Sequence, residues 1–193
     1  MTDGRPLDGV KIVDLTHVLA GPYCTYILAL LGANVIKIEN VDSGDVVRQA
    51  GPRRDLNEIG MGSHYQAQGG DKRCIAVDIA SDGGKAVLAR LIATADVFIE
   101  NLRPGATSGH GFDPATLRAR HPRLICARVS GFGADQPRRA YDNVVQAASG
   151  IVASTGPEGG PAVKAGPAVV DYATGLTAAL ARRLRSWRCA SRR

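Results

Sequence analysis

Apolar and polar positions along this chain follow two alternating periods. Val10, Ile12, Val13 and Leu15 form a short apolar run rich in β-branched residues, which predicts a strand. Ala20-Gly21-Pro22 reads as a break. Tyr23–Leu31 then reads as an apolar helical run, closed by Gly32 just past its last turn. Asn34–Glu39 alternates into a second strand. A strand–helix–strand unit of this kind requires a parallel sheet with a right-handed crossover. Open parallel sheets bind ligands at the carboxyl ends of their strands, which is where Thr16, His17, Val18, Leu19 and Ala20 fall.

The alternation continues to the end of the chain. Val41–Gly70, rich in Gly, Asp, Arg and Asn, shows little periodicity and predicts a long connector, a kind of segment that is usually functional or mobile. Asp71-Lys72-Arg73 leads into a strand over Cys74–Asp78. Ser81 is placed to cap a helix running to Ala93, with Ala86, Val87 and Leu91 at helical spacing and Leu88 widening the face. Val97–Glu100 predicts a strand ending in Asn101–Gly105, and Asp113-Pro114 opens a short helix that stops before Pro122. Leu124–Val129 reads as a strand, Ser130–Gly133 as a turn, and Tyr141–Ala153 as an apolar-faced helix interrupted by Gly150. Gly156–Pro161 is a loop, and Tyr172–Leu184 is a helix with Asp171 at its N-cap position. With no internal repeat and no linker, the expectation is one α/β domain, a Rossmann-like doubly wound and mostly parallel sheet.

Composition narrows the function classes. The 193 residues are 45% hydrophobic and 22% charged, enough for one domain with a sizeable core. No run is long and apolar enough to span a bilayer, and the first residues lack the apolar stretch of a secretory signal. Cys24, Cys74, Cys126 and Cys189 are far apart and form no C-x-x-C pair, which argues against a zinc site and fits a reducing, cytoplasmic setting. The apolar or strand-like contexts of Cys24, Cys74 and Cys126 predict buried thiols. The net charge of +6 is misleading, because residues 182–193 hold six arginines and no acid. Without them 18 basic and 18 acidic residues remain. No recognition-helix or RNA-binding aromatic pattern supports a nucleic-acid partner.

A dinucleotide-binding turn would place Glu39 on a ribose hydroxyl. The glycine fingerprint is absent, since only Gly21 is present and Pro22 follows it without an N–H, so an NAD-dependent oxidoreductase is disfavoured. A different likeness runs through the chain. The words DLTHVLAGP, LGANVIKIE, DKRCIAVD, ADVFIENLRPG, HPRLICARVSGFG, YDNVVQAASG and VVDYATGL resemble, in order, family III CoA-transferases, relatives of α-methylacyl-CoA racemase. The resemblance covers about residues 6–181 and implies that residues 1–181 are the large-domain portion of that fold. It also implies transfer of coenzyme A between an acyl-CoA and a carboxylic acid, with no metal, flavin or NAD, and a homodimer in the full-length family.

The resemblance also suggests site residues. It assigns the covalent nucleophile to Asp171. A desolvated carboxylate near a helix N-terminus can attack the thioester, giving a mixed anhydride and then an aspartyl-CoA thioester that the acceptor acid resolves. A helix cap is the competing role, and the residue can do both. His17, Val18 and Ala20 would wall the CoA channel, Lys72 and Arg139 would face phosphates, and Asn101 and Leu102 would face the adenine or pantetheine side. Solvated surface charges are the competing reading of Lys72 and Arg139, and a hydrogen-bonded core histidine that of His17. Asn40 and Gly109 stand where the family carries arginines, and each lost charge-assisted bond weakens CoA binding by about 1.5–3 kcal/mol. The racemase needs a histidine where this chain has Tyr141, and an unperturbed tyrosine, with a pKa of about 10, is a poor base at neutral pH. Family members continue well beyond this length. Here residues 182–193, RRLRSWRCASRR, depart from the pattern, as an out-of-frame tail would. The expectation is therefore a truncated transferase, or an inactive fragment that binds CoA or a partner.

Overall fold

The computed structural model describes residues 4–103, 105–133, 136 and 138–190, with side chains as far as Ala181. The arginine-rich tail expected at 182–193 thus lies outside the described side chains. Strand β1 (Lys11–Leu15) leads into α1 (Ala20–Leu30), and β2 (Asn34–Glu39) follows. The connector after β2 holds a 3-10 turn (Val46–Gln49) and two short helices, α2 (Arg54–Glu58) and α3 (Ser63–Gly69). Then come β3 (Lys72–Ala76), α4 (Asp82–Ala93), β4 (Val97–Glu100), a 3-10 turn (Ser108–His110), α5 (Pro114–Arg120) and β5 (Ile125–Arg128). The chain finishes with α6 (Asp142–Ala148), α7 (Ile151–Ser154) and α8 (Val169–Ala190). Among the described residues, no helix is long and apolar enough to cross a membrane.

All five strands are parallel, in the order β3-β2-β1-β4-β5. The strand period of two sends alternate β1 residues to opposite faces. Val13 and Leu15 meet Leu88 and Ile92 of α4 and Leu117 of α5. Ile12 meets Cys24 and Leu28 of α1 and Ala179 of α8. Helices thus cover both faces, which is why β1 reads as an apolar run rather than an alternating one. The expected doubly wound α/β architecture is present.

Several predicted boundaries hold for the reasons given. The Ser81 side chain accepts the Gly84 N–H at 3.0 Å, Asp113 accepts the Thr116 N–H at 2.9 Å, and Gly32 takes φ +108° past the end of α1. Three expectations are corrected. Ala20-Gly21-Pro22 is the first turn of α1 rather than a break, because a proline there gives up no intrahelical bond. The connector folds into short helices that pack on its own 3-10 turn, with α3 also lying against α1. Cys74 is exposed on the outer strand β3, near the Tyr65 hydroxyl at 3.3 Å, while Cys24 is buried and Cys126 half-buried.

Candidate active site

The sheet order reverses at β1, whose neighbours are β2 on one side and β4 on the other. Crevices open at such a switch point, beyond the carboxyl ends of the strands. Here the turn after β1 is fixed with unusual completeness. The Thr16 N–H donates to Asp14 Oδ1 at 3.0 Å, and Lys37 Nζ donates to the Thr16 carbonyl at 2.5 Å. Asn101, just after β4, accepts the His17 N–H at 2.9 Å and donates to the His17 carbonyl at 2.8 Å. Asp45 accepts the Val18 N–H at 3.1 Å, and Gln68 Nε2 donates to the Val18 carbonyl at 3.1 Å. Every backbone polar group of residues 16–18 is therefore held by a side chain. Val18 itself sits at φ +69°, a region that β-branched residues rarely enter. Helix α1 starts next with no side-chain cap, and among the described residues the N–H groups of Leu19, Ala20 and Gly21 have no partner. Such a terminus carries partial positive charge.

Buried charges anchor this turn from below. Lys37, 2% exposed, pairs with Asp45 at 2.9 Å. Asp14 accepts the Thr25 hydroxyl at 2.5 Å and pairs with Lys72 at 3.4 Å. Burial alone would raise the Asp14 pKa, but Lys72 and Lys37 beside it, with the two threonine hydroxyls, hold it below the usual carboxylate value. Burial likewise opposes the charge on Lys37, yet Asp14 and Asp45 keep its pKa above the usual value. Lys72 Nζ also donates to the Pro22 carbonyl and to the Thr25 hydroxyl, each at 2.7 Å, and its side chain is fully buried. This corrects the expectation for Lys72, whose ammonium is committed inside the domain and is not at a phosphate. Glu39 is also committed: Arg48 grips both of its oxygens, at 2.6 and 3.0 Å, which removes it as a ribose ligand.

The opposite wall comes from α6 and α8. Asp142 Oδ1 accepts the N–H groups of Val170 at 2.8 Å and Asp171 at 3.2 Å, while Oδ2 accepts from Gln146 Nε2. The start of α8 is thus capped by a residue of another helix. Asp171 lies inside the first turn of α8 and is not the N-cap, a second correction. Its half-buried carboxylate accepts no hydrogen bond among the described residues. Burial, with the Asp142 charge adding to it, pushes its pKa up to about 6. One turn further on, a Cβ added to Gly175 would lie 2.6 Å from the Ala20 carbonyl oxygen, so glycine is what lets α8 lie against the first turn of α1. The Tyr172 ring meets Tyr23 edge-on at 4.8 Å in the same contact.

Between these walls lies a cleft of about 230 Å³. His17, Val18, Ala20, Asn101, Leu102, Arg139 and Asp171 all line it, and of the predicted site residues Lys72 alone stands apart. The Asn101 side chain is spent on the His17 backbone, so it positions the turn rather than facing open space. Burial holds the His17 imidazole below its ordinary pKa. Sequence reasoning missed Arg103 and Arg138, which also line the cleft; Arg138 stacks on Phe132 at 4.4 Å from the ring centre. The paired Arg138-Arg139 was the available signal. A second cavity of about 380 Å³ opens at the ends of β1 and β2 and shares His17 and Leu102 with the first.

Across residues 7–184 the chain matches the pattern of CoA-transferase family III. The chain belongs to CoA-transferase family III. It is 39% identical over 177 residues to a succinate–glutarate CoA-transferase of Agrobacterium fabrum, covering 89% of this chain and 44% of that one. It is 41% identical over 181 residues to human succinyl-CoA:glutarate CoA-transferase, covering 92% of this chain and 41% of the relative. A formyl-CoA:oxalate CoA-transferase of Rhodopseudomonas palustris is 38% identical over 178 residues, with 91% and 41% covered. Among solved structures, a CAIB/BAIF family protein from Brucella suis superposes with a TM-score of 0.88 at 34% identity, over 98% of this chain and 51% of that one. A Mycobacterium tuberculosis protein gives 0.84 at 33% identity, over 97% and 52%. The chain thus spans less than half the length of the curated family III relatives named here.

Proposed function

We propose that this chain carries the acyl-CoA site and the nucleophile of a CoA-transferase that moves CoA between an acyl-CoA and a carboxylic acid, with Asp171 as the group that becomes acylated. The observation that carries the reading is the Asp171 carboxylate: it lines the cleft, accepts no hydrogen bond among the described residues, and has a pKa raised to about 6. Such a carboxylate is still largely ionised at neutral pH and is weakly solvated, which favours attack on a thioester carbonyl. The C–O bond forms as the C–S bond breaks, giving a mixed anhydride and CoA thiolate. The thiolate then attacks the aspartyl carbonyl, releasing the first acid and leaving an aspartyl-CoA thioester. The acceptor carboxylate attacks that thioester to give a second mixed anhydride. Attack by the thiolate on the acceptor's carbonyl yields the new acyl-CoA and frees Asp171.

The unpartnered N–H groups at the start of α1 suit the oxyanion of each tetrahedral intermediate. The two cavities joined at His17 and Leu102 suit a molecule as long as CoA, with Arg103, Arg138 and Arg139 near its phosphates. A histidine for α-proton transfer is missing where Tyr141 stands, which favours the transferase over a racemase. A cytoplasmic homodimer is the assembly we propose for the complete enzyme, by likeness to the family.

The test is to incubate the chain with succinyl-CoA and follow a hydroxylamine-sensitive adduct by mass spectrometry. Wild type should label at Asp171 and Asp171→Ala should not; an adduct persisting in that variant removes Asp171 from the mechanism. A specific observation favours a second reading, a fragment that works only with a partner. An open apolar groove of about 730 Å³ runs between the end of β5 and α8, past Val145, Val169 and Ala178. CoA binding by the isolated chain without any adduct would favour that reading.

A further inference from the structure

We infer that Asp45 and Gln68 are positioning residues, a brace by which the connector after β2 holds Val18 left-handed and so aims the N-terminus of α1 into the cleft. The inference rests on the proposed acyl-CoA site. Val18 at φ +69° is an outlier for a β-branched side chain, and such a conformation persists only where the surroundings over-determine it. The surroundings here are identifiable. Asp45 takes the Val18 N–H and Gln68 takes its carbonyl, each at 3.1 Å, from opposite ends of one connector. Both bracing side chains are buried, each 2% exposed. Asp45 is fixed in turn by Lys37, which also grips the Thr16 carbonyl. Among the described residues, Gln68 donates to Val18 while its own Oε1 has no partner, so the Val18 carbonyl is the contact that accounts for a buried amide at this place.

The geometric consequence falls on the next residues. With the polar groups of residues 16–18 all committed, Leu19 and Ala20 supply the first N–H groups of the turn that a ligand can reach. Their direction is set by the Val18 torsion, because a valine relaxing to negative φ would rotate the peptide that follows it. The connector is therefore part of the binding apparatus without touching the ligand.

The experiment is a double-mutant cycle on this chain, with two readouts. Gln68→Met keeps the volume and removes the donor; Val18→Gly makes φ +69° freely accessible. The first readout is amide hydrogen exchange at His17 and Val18, whose N–H groups are held by Asn101 and Asp45, in the free protein, with Phe98 and Ile99 of β4 as the internal control. The second is the dissociation constant for CoA. Gln68→Met should speed exchange at the His17 and Val18 amides about tenfold with the β4 amides unchanged, and weaken CoA binding by a similar factor. In the Val18→Gly background the same change should cost less than about threefold in both. Equal effects in the two backgrounds, or no local change in exchange, overturn the brace. If Gln68→Met alone does not fold, recovery of folding on adding Val18→Gly is the same coupling, and no recovery counts against it. Should wild type fail to bind CoA while exchange behaves as stated, the acyl-CoA reading fails and the brace stands.

Discussion

Asp142→Asn separates the two causes of the raised Asp171 pKa. The rise runs from 3.8 to about 6, with burial the larger cause and the Asp142 charge the smaller. Asp142 therefore accounts for less than half of it, under about 1 in pKa, which corresponds to under about 1.4 kcal/mol. Removing the charge should thus leave the Asp171 pKa above about 5. The substitution has a second effect. An asparagine oxygen can keep the Val170 and Asp171 N–H bonds, but its amide nitrogen then faces Gln146 Nε2. Gln146 cannot turn round, because its Oε1 holds the Ala165 N–H at 2.8 Å. One bond to a charged acceptor is lost, at a cost of about 1.5–3 kcal/mol. The assays are a carbon-13 titration of the Asp171 carboxyl and urea unfolding. A pKa falling to the ordinary value would refute the dominance of burial, and an unchanged pKa would refute any electrostatic contact between the two acids.

Three further outcomes are expected. A folded-state pKa raised to about 6 makes Asp171 a source of stability fully present below its unfolded value of about 4 and lost as pH rises through 6, so Asp171→Asn should match wild type near pH 4 and exceed it at pH 7, by roughly 1–2 kcal/mol after discounting for solvent screening. Urea midpoints at the two pH values measure it, and a larger gain at pH 4 would contradict the sign. Lys72→Met should destabilise the fold by about 3–5 kcal/mol by stranding the Asp14 carboxylate, while the salt dependence of CoA binding stays as in wild type; a reduced salt slope would restore Lys72 as a phosphate ligand. Gly175→Ala should lower stability by about 1–3 kcal/mol despite the better helix propensity of alanine, because the Ala20 carbonyl in its path is backbone. A thermal midpoint equal to wild type would show that α8 can shift at no cost.

What the sequence made legible is what local chemistry decides. β2 and β4 fall at the boundaries their apolar patterns predict, and Ser81 and Asp113 cap the helices that their position suggests. The family words brought the cleft residues forward because those words are the loops at the carboxyl ends of β1, β4 and β5. Lys72 was misassigned for a physical reason. Its neighbours Asp71 and Arg73 are polar, so nothing local distinguishes a lysine on a surface from one turned under Pro22 and Thr25. The capping of α8 by Asp142 was illegible for a related reason, since a cap supplied by another helix leaves no spacing signature. Asp171 looked like its own cap because the true start of α8, at Val169, is hidden in the apolar run Ala168-Val169-Val170.

The clamp from Asn101 to His17 also bears on how the chain acquires its site. It joins residues 84 apart, Gln68 reaches Val18 across 50, and Asp142 reaches Asp171 across 29. None of these bonds can form before the intervening chain has been synthesised and its loop closed. Non-local contacts of this kind slow folding, because closure entropy is spent before they form. The β1–α1–β2 unit can assemble early from near neighbours, but its turn gains a fixed shape only once β4 docks alongside. A nascent chain halted before Asn101 would therefore hold only the β1–α1 wall of the cleft, without its aim, and binding competence should appear as a late kinetic phase, after most of the secondary structure has formed.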